Sequence, residues 1–209
     1  MNQTQEKWVE WVKQLQSLAQ AGLYYGGTQF DKERYQQIRD ISAAMMSDIS
    51  DLPIERVKEL FCNESGYQTP KLATRAAVFH DDKILLVKEN YGKWCLPGGW
   101  VDPDVTVMQN AVKETFEESG YHVHPDYIIA IIDKNKRNAP CHPFNETAVF
   151  VHCTPEDGHF IANDETVASQ FFTEEEASKL ELDDRKTTLE QVKTCFQAHF
   201  SKSWDIIAD

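Results

Sequence analysis

Residues 106–120, TVMQNAVKETFEESG, constrain the fold more than any other stretch. On a helical wheel Met108, Val112, Thr115 and Phe116 gather on one side, with Ala111 at its edge. Glu114, Glu117 and Glu118 fall within a sector of about 100° on the other side, at the ordinary helix period. Thr106 is placed to cap this helix, Gln109 three residues on completes a capping box, and Gly120 closes it as a left-handed terminal glycine. Such a helix must lay its apolar face on a core and leave an acidic face open. The acidic face is costly in isolation. Like charges at i, i+3 and i+4 oppose one another by about a few tenths of a kcal/mol per pair. Carboxylates in the last turns also oppose the helix dipole, where lysine would be favoured. Two readings compete: a solvated charged face, or a site for a hard cation such as Mg²⁺, which prefers oxygen ligands and bridges carboxylates to phosphates.

The surroundings predict an α+β chain. Residues 1–66 read as helical: EKWVEWVKQLQSLAQAGL carries Trp8, Val9, Val12, Leu15, Leu18 and Leu23 near a 3.6 period. YYGGTQ breaks it, Asp31 is expected to cap a second amphipathic run over about 32–48, and a third starts at Pro53. This small helical domain is expected to pack or dimerise, and NESGYQTPK, residues 63–71, reads as a linker. From there β-prone runs at 72–80, 81–89 and 93–99 precede the acidic helix, with Asp81–Asp82 suited to a hairpin turn. Further strands are expected at 127–133, 146–153 and 168–172, and helices at about 174–180 and 185–200. Strands mixed with a few helices define the α+β class.

Charge and cysteine content narrow the partners. The net charge is −13, of which −3 lies in residues 1–70 and −10 in the rest. An acidic surface repels duplex nucleic acid and anionic membrane, so neither is expected as a partner. A polyphosphate would need bound cations and local Lys or Arg. The five cysteines, Cys62, Cys95, Cys141, Cys153 and Cys195, are odd in number and form no CxxC pair, which fits reduced, buried thiols. The longest apolar run, Tyr127 to Ile132, is far short of a membrane span, and the N-terminus lacks a signal-peptide pattern, so a cytoplasmic location is expected.

Read backward from the helix, GWVDPDVTVMQNAVKETFEESGY, residues 99–121, resembles the Nudix box, G-x5-E-x7-R-E-U-x-E-E-x-G-U with U aliphatic. Gly99, Glu114, Glu117, Glu118 and Gly120 match in register, and LPGG at 96–99 is also typical of that family. The match departs at Val105, where the family has its first Glu, at Lys113, where it has Arg, and at Thr115 and Tyr121, where it has aliphatic residues. In the family that Glu and Arg commonly pair, so both members are altered here together. The helical N-terminal extension resembles a subgroup that includes CDP-choline and ADP-ribose pyrophosphatases. The resemblance implies a Nudix α/β/α sandwich with a mixed sheet over 71–205.

It further implies Mg²⁺- or Mn²⁺-dependent hydrolysis of the pyrophosphate in a small nucleotide conjugate, a nucleoside diphosphate linked to a second group. CDP-choline and ADP-ribose are the leading substrates. Glu114 and Glu118 are then the expected metal ligands, with Glu117 a third or water-bridged one and a carbonyl of Gly98 or Gly99 in addition. A box glutamate assisting a metal-activated water is the simplest base, and Glu165, in the loop ANDETVASQFF, is a second candidate. Arg75, Lys134 and His142 are the candidates for substrate phosphate, and Tyr67 or Phe144 for a nucleobase. The aromatic N-terminal helices, with Trp8, Trp11, Tyr24 and Tyr25, offer more apolar surface than a 66-residue extension is expected to bury alone, which favours a homodimer. Two other functions stand beside this one: a non-catalytic nucleotide-binding regulator on the same scaffold, and a hydrolase of RNA ends or nucleoside triphosphates.

Overall fold

The computed structural model describes residues 3–138 and 145–209. Residues 3–70 form one compact unit, and residues 71–138 with 145–209 form the other. The first unit holds three helices, α1 (Gln3–Tyr25), α2 (Gln29–Ser50) and α3 (Ile54–Phe61), around Val12, Ala43, Met46, Val57 and Phe61. Two buried glutamines tie its interior to backbone carbonyls. Gln16 Nε2 donates to the Phe61 carbonyl at 3.0 Å and Gln20 Nε2 to that of Gly66 at 3.1 Å. The cap of α2 differs from the one expected. Thr28, not Asp31, is the N-cap: its hydroxyl accepts from the Asp31 N–H at 3.1 Å, and Asp31 sits inside the first turn, where its charge suits the dipole.

The second unit is built on one mixed sheet. Its strands are β1 (Lys71–His80), β2 (Lys83–Glu89), β3 (Trp94–Cys95), β4 (Tyr121–Asp133), β5 (Glu146–Gly158), β6 (Thr166–Phe172) and β7 (Ile207–Ala208). The order is β3-β2-β1-β5-β4-β7, with β6 also paired to β2. β1 runs parallel to β5, from Lys71 opposite Glu146 to Val78 opposite Cys153. It then turns through Asp81 and Asp82, at φ 47° and 57°, into β2. A two-residue hairpin of this kind needs positive φ at both positions, and Asp tolerates it.

The period-2 alternation of β1 decides the layers. Ala76 and Val78 face a cluster with Leu85, Val123, Val149 and Val151, covered by α4 (Val107–Ser119) through Val107, Met108, Ala111 and Val112. Ala77 and Phe79 face the opposite cluster, with Phe150, Leu86 and Ile129. That side is covered by α6 (Glu174–Ala177) and α7 (Leu189–Phe200) through Ala177, Val192, Cys195 and Phe196. Helices on both faces of a mixed sheet make the α/β/α sandwich. A last short helix, α5 (Lys134–Arg137), follows β4 directly. Among the described residues no helix is long and apolar enough to cross a membrane.

Candidate active site

Helix α4 forms where the capping chemistry dictates. Gln109 N–H donates to the Thr106 hydroxyl at 3.2 Å, and Thr106 N–H donates to the Gln109 side chain at 2.9 Å. At the far end Gly120 takes φ 74° and its N–H bonds to the Phe116 carbonyl at 2.8 Å. The loop between β5 and β6, together with the first residue of β6, is stitched to that end: Thr166 Oγ1 donates to the Glu118 carbonyl at 2.6 Å and Asn163 Nδ2 to that of Glu117 at 2.9 Å.

The glycines of LPGG bring backbone against this helix. Gly98 adopts φ 144°, and a Cβ there would lie 2.1 Å from the Thr74 carbonyl oxygen. A Cβ on Gly99 would lie 2.3 Å from Glu114 Oε2. Side chains at either position would therefore push the loop off β1 or the carboxylate out of place. With glycine there, Gly98 N–H donates to Glu118 Oε2 at 2.9 Å. Arg75, buried in β1, donates to the Gly98 carbonyl, while Thr74 N–H holds the Gly99 carbonyl at 2.9 Å.

The three glutamates have different environments. Glu118 is 5% exposed. Burial pushes its carboxyl up to about 7, against the pull of the Arg75 guanidinium and the Gly98 N–H. Glu114 is also raised by burial, with Lys113 opposing the shift. Glu117 is open, its side chain 55% exposed. Lys113 Nζ lies 3.1 Å from Asp102, 3.3 Å from Glu114 and 3.3 Å from Glu117. Its pKa is raised, chiefly by the bond to Asp102. Among the described residues no three carboxylate, His or Cys side chains already converge in metal-holding geometry, and Lys113 occupies the space between two of the glutamates.

The donor set nevertheless suits a hard divalent cation. It consists of carboxylate and carbonyl oxygens only, on a rigid helix and a loop whose missing Cβ atoms leave the approach open. One buried polar atom beside it lacks a partner, Arg75 Nε, which together with the carboxylates provides for both a cation and an anion.

The other sequence candidates are dispersed. Glu165 is exposed in the loop tied to the end of α4, with its N–H on Asn163 Oδ1 at 2.9 Å. Lys134 is buried and donates to Glu146 Oε1 at 2.5 Å, and Glu146 Oε2 accepts from Trp100 Nε1 at 3.3 Å. Burial raises the Glu146 carboxyl, but the Lys134 and Trp100 bonds outweigh it and hold the group below its ordinary value. Lys134 thus braces the residue after the two glycines instead of presenting an open ammonium. His142, Phe144 and Cys141 lie outside the described residues. Tyr67 is exposed in the first unit.

Three contributors escaped the sequence reading. Glu89, buried at the end of β2, accepts from Lys186 and from the Cys95 thiol, the latter at 3.2 Å. Both Glu89 and Lys186 bear on the charge of Glu118. Asp102 is the third. The available signals were weak: a lone acid closing an apolar strand, and an acid three residues past Gly99.

A strand, a glycine corner and a helix bearing three glutamates, held in an α/β/α sandwich, define a hydrolase for phosphate anhydrides. A model of the NUDIX domain matches residues 69–192, and one described as a UDP-X-like, N-terminal oligomerisation domain matches residues 6–61. The chain belongs to the Nudix family. It is a pyrophosphohydrolase of nucleoside diphosphates linked to a second group, and Nudix hydrolases generally work with divalent metal ions. It is 38% identical over 176 residues, 84% of this chain and 85% of the relative, to Bacillus subtilis (strain 168) YjhB, provisionally named an ADP-ribose pyrophosphatase. A solved ADP-ribose pyrophosphatase from Streptococcus suis 89-1591 is 46% identical, with a TM-score of 0.62 over 68% of this chain and 100% of that one. A solved UDP-X diphosphatase is 27% identical, with a TM-score of 0.62 over 97% of this chain and 98% of that one.

Proposed function

We propose that this chain uses Mg²⁺ or Mn²⁺ to hydrolyse the pyrophosphate of a small nucleoside diphosphate conjugate, releasing a nucleoside monophosphate and a phosphorylated second group. The observation that carries the reading is the Glu118 carboxylate held on the Gly98 N–H, beside a Glu114 carboxylate that only glycine at 99 can accommodate. ADP-ribose stands first among substrates because relatives of 38% and 46% identity carry that name. A UDP conjugate is the second reading, favoured by a likeness that spans 97% of the chain. CDP-choline keeps its place in the test panel on the strength of the N-terminal extension.

Glu114 and Glu118 would hold the metal, with Glu117 as a third or water-bridged ligand and the carbonyl of Gly98 or Gly99 beside them. When bound, the ion neutralises the non-bridging phosphate oxygens and acidifies a water. The chain's own residues do the rest. Gly98 N–H fixes the Glu118 carboxylate, Arg75 fixes the corner through the Gly98 carbonyl, and Arg75 is the candidate cation for a substrate phosphate. A box glutamate takes the water's proton, with Glu165 as the alternative base from the loop stitched to α4. Lys134 and Glu146 hold Trp100 and thereby the corner. The regulatory alternative is disfavoured because a pure binding module has no need for three carboxylates crowded on one helix face.

The N-terminal unit is assigned to homodimer formation. Trp8, Trp11 and Leu18 lie exposed along α1, Trp11 at 50% and Leu18 at 66%, and this is the segment matched by the oligomerisation model. Light scattering that returns a monomeric mass would remove this assignment.

The function is tested by monophosphate release from ADP-ribose, UDP-glucose, CDP-choline, NADH, a dinucleoside polyphosphate and nucleoside triphosphates, with Mg²⁺, Mn²⁺ or EDTA. Metal-dependent release from one conjugate, lost in Glu118→Gln, is expected. Turnover unchanged in Glu118→Gln would overturn the metal assignment, and silence across the panel in folded, metal-binding protein would turn the reading toward the regulatory one.

A further inference from the structure

We infer that Lys113 is a resident counter-cation of the glutamate cluster, which an incoming divalent ion displaces, and that Asp102 is the carboxylate that receives it. The inference rests on the metal reading above. Its basis is the position of one ammonium, 3.1 Å from Asp102 Oδ2, 3.3 Å from Glu114 Oε1 and 3.3 Å from Glu117 Oε2.

Helix α4 carries no basic residue in its last turn, where Glu117 and Glu118 already oppose the dipole, with Glu114 just before them. Lys113, one turn earlier, reaches forward to Glu117 at i+4 and sideways to Glu114. A lysine N-terminal to its glutamate is the weaker order for such a pair, so the contact to Glu117 is readily given up. A divalent ion taken up by Glu114 and Glu117 would meet this ammonium directly and repel it. Asp102 offers somewhere to go. It lies off the helix, its contact is the shortest of the three, and its backbone is fixed because Val101 N–H donates to the Leu72 carbonyl at 2.8 Å and Trp100 bridges Ala73. Asp102 is itself half-exposed, so the Lys113–Asp102 pair persists beside a filled site without burying charge.

This arrangement gives two of the four departures from the box, Val105 and Lys113, a common sense. Position 105 holds valine and supplies no charge, while position 113 holds a compact, flexible ammonium that a planar guanidinium would not match as a movable ion. Asp102 is a positioning residue, acting on metal uptake only through Lys113.

Mn²⁺ binding to the full chain, followed by electron paramagnetic resonance, tests the inference as a double-mutant cycle. Lys113→Met is expected to tighten Mn²⁺ binding about threefold to tenfold and to lower the melting temperature in EDTA by about 2 to 4 °C. Lys179→Met, which removes the same charge from an exposed pair with Glu175, should leave the constant within about twofold. Asp102→Asn should weaken Mn²⁺ binding about threefold in the wild-type background and have no effect in the Lys113→Met background. An Asp102→Asn effect of the same size in both backgrounds would overturn the inference, since Asp102 would then act on the ion without Lys113. Unchanged or weaker binding in Lys113→Met would overturn it as well. Failure of the underlying reading looks different: Glu114→Gln and Glu118→Gln would then leave Mn²⁺ binding intact.

Discussion

Glu118 is both a proposed ligand and a source of instability, and replacing it separates the two roles. Its carboxyl is raised from 4.5 to about 7, and at 5% exposure little of that shift is screened by solvent. The folded protein therefore binds the proton more tightly than the unfolded chain does. Stability falls as pH rises between the two values and is lowest above the folded one. With about 1.4 kcal/mol per pH unit, the ionised carboxylate costs about 3 kcal/mol at pH 8 and about 1 kcal/mol at pH 5. Glu118→Gln imitates the protonated form and keeps an oxygen for the Gly98 N–H. In EDTA, urea unfolding should find the variant more stable than wild type at pH 8. The advantage should shrink by about 2 kcal/mol on going to pH 5. Mg²⁺ should stabilise wild type and not the variant. A variant less stable than wild type at pH 8, or an advantage independent of pH, would refute the assignment of burial as the dominant influence on this carboxylate.

Gly99→Ala places a Cβ 2.3 Å from Glu114 Oε2 without demanding an unusual φ; kcat/KM with Mg²⁺ should fall about 100-fold while the melting temperature barely moves, and full activity would mean Glu114 is not a ligand. Lys134→Met removes the ammonium that neutralises the buried Glu146, which should cost about 3 to 5 kcal/mol in urea unfolding, most of it recovered in Lys134→Met/Glu146→Leu; a loss under 1 kcal/mol would place solvent at that pair. Burial pushes the thiols of Cys95, Cys153 and Cys195 well above their ordinary range, so a disulfide reagent at pH 8 should modify them only on unfolding, and their rapid labelling in folded protein, mapped by mass spectrometry, would contradict the packing of both sheet faces.

What could be read from the chain was what local chemistry writes. The capping box at Thr106 and Gln109, the terminal Gly120 and the acidic face of α4 each depend on residues within one or two turns. The hairpin at Asp81–Asp82 is equally local. The N-cap of α2 went to Thr28 because two capping residues stood three apart, and spacing alone does not rank them. The two-residue β7 and four-residue α5 carry too little sequence to show a period. Long-range pairs were out of reach. Lys186 meets Glu89 across 97 positions, and Lys134 turns inward to Glu146 because β4 and β5 happen to bring them together. Lys134, expected to meet a substrate phosphate, is spent by the fold on Glu146, and its neighbour Arg137 on Asp209.

The same engagement bears on how the site meets a polyanion. Around the corner stand five acids, Glu89, Asp102, Glu114, Glu117 and Glu118, and three basic groups, Arg75, Lys113 and Lys186. Each basic group already has work: Arg75 on the Gly98 carbonyl, Lys113 on three carboxylates, Lys186 on Glu89. A pyrophosphate entering alone would add negative charge to a surplus of it, within a chain of net charge −13. On the proposed ligand set, a divalent ion held by Glu114 and Glu118 would reverse that balance, cancelling the surplus and leaving a face for phosphate oxygen. Metal and substrate should thus bind as one cooperative event, each raising the affinity for the other by the same factor. An acidic site of this kind discriminates by requirement: it admits a compact pyrophosphate that can share ions with the glutamates. Long polyanions, whose remaining charges would face the acidic surface unpaired, are expected to compete weakly for such a site.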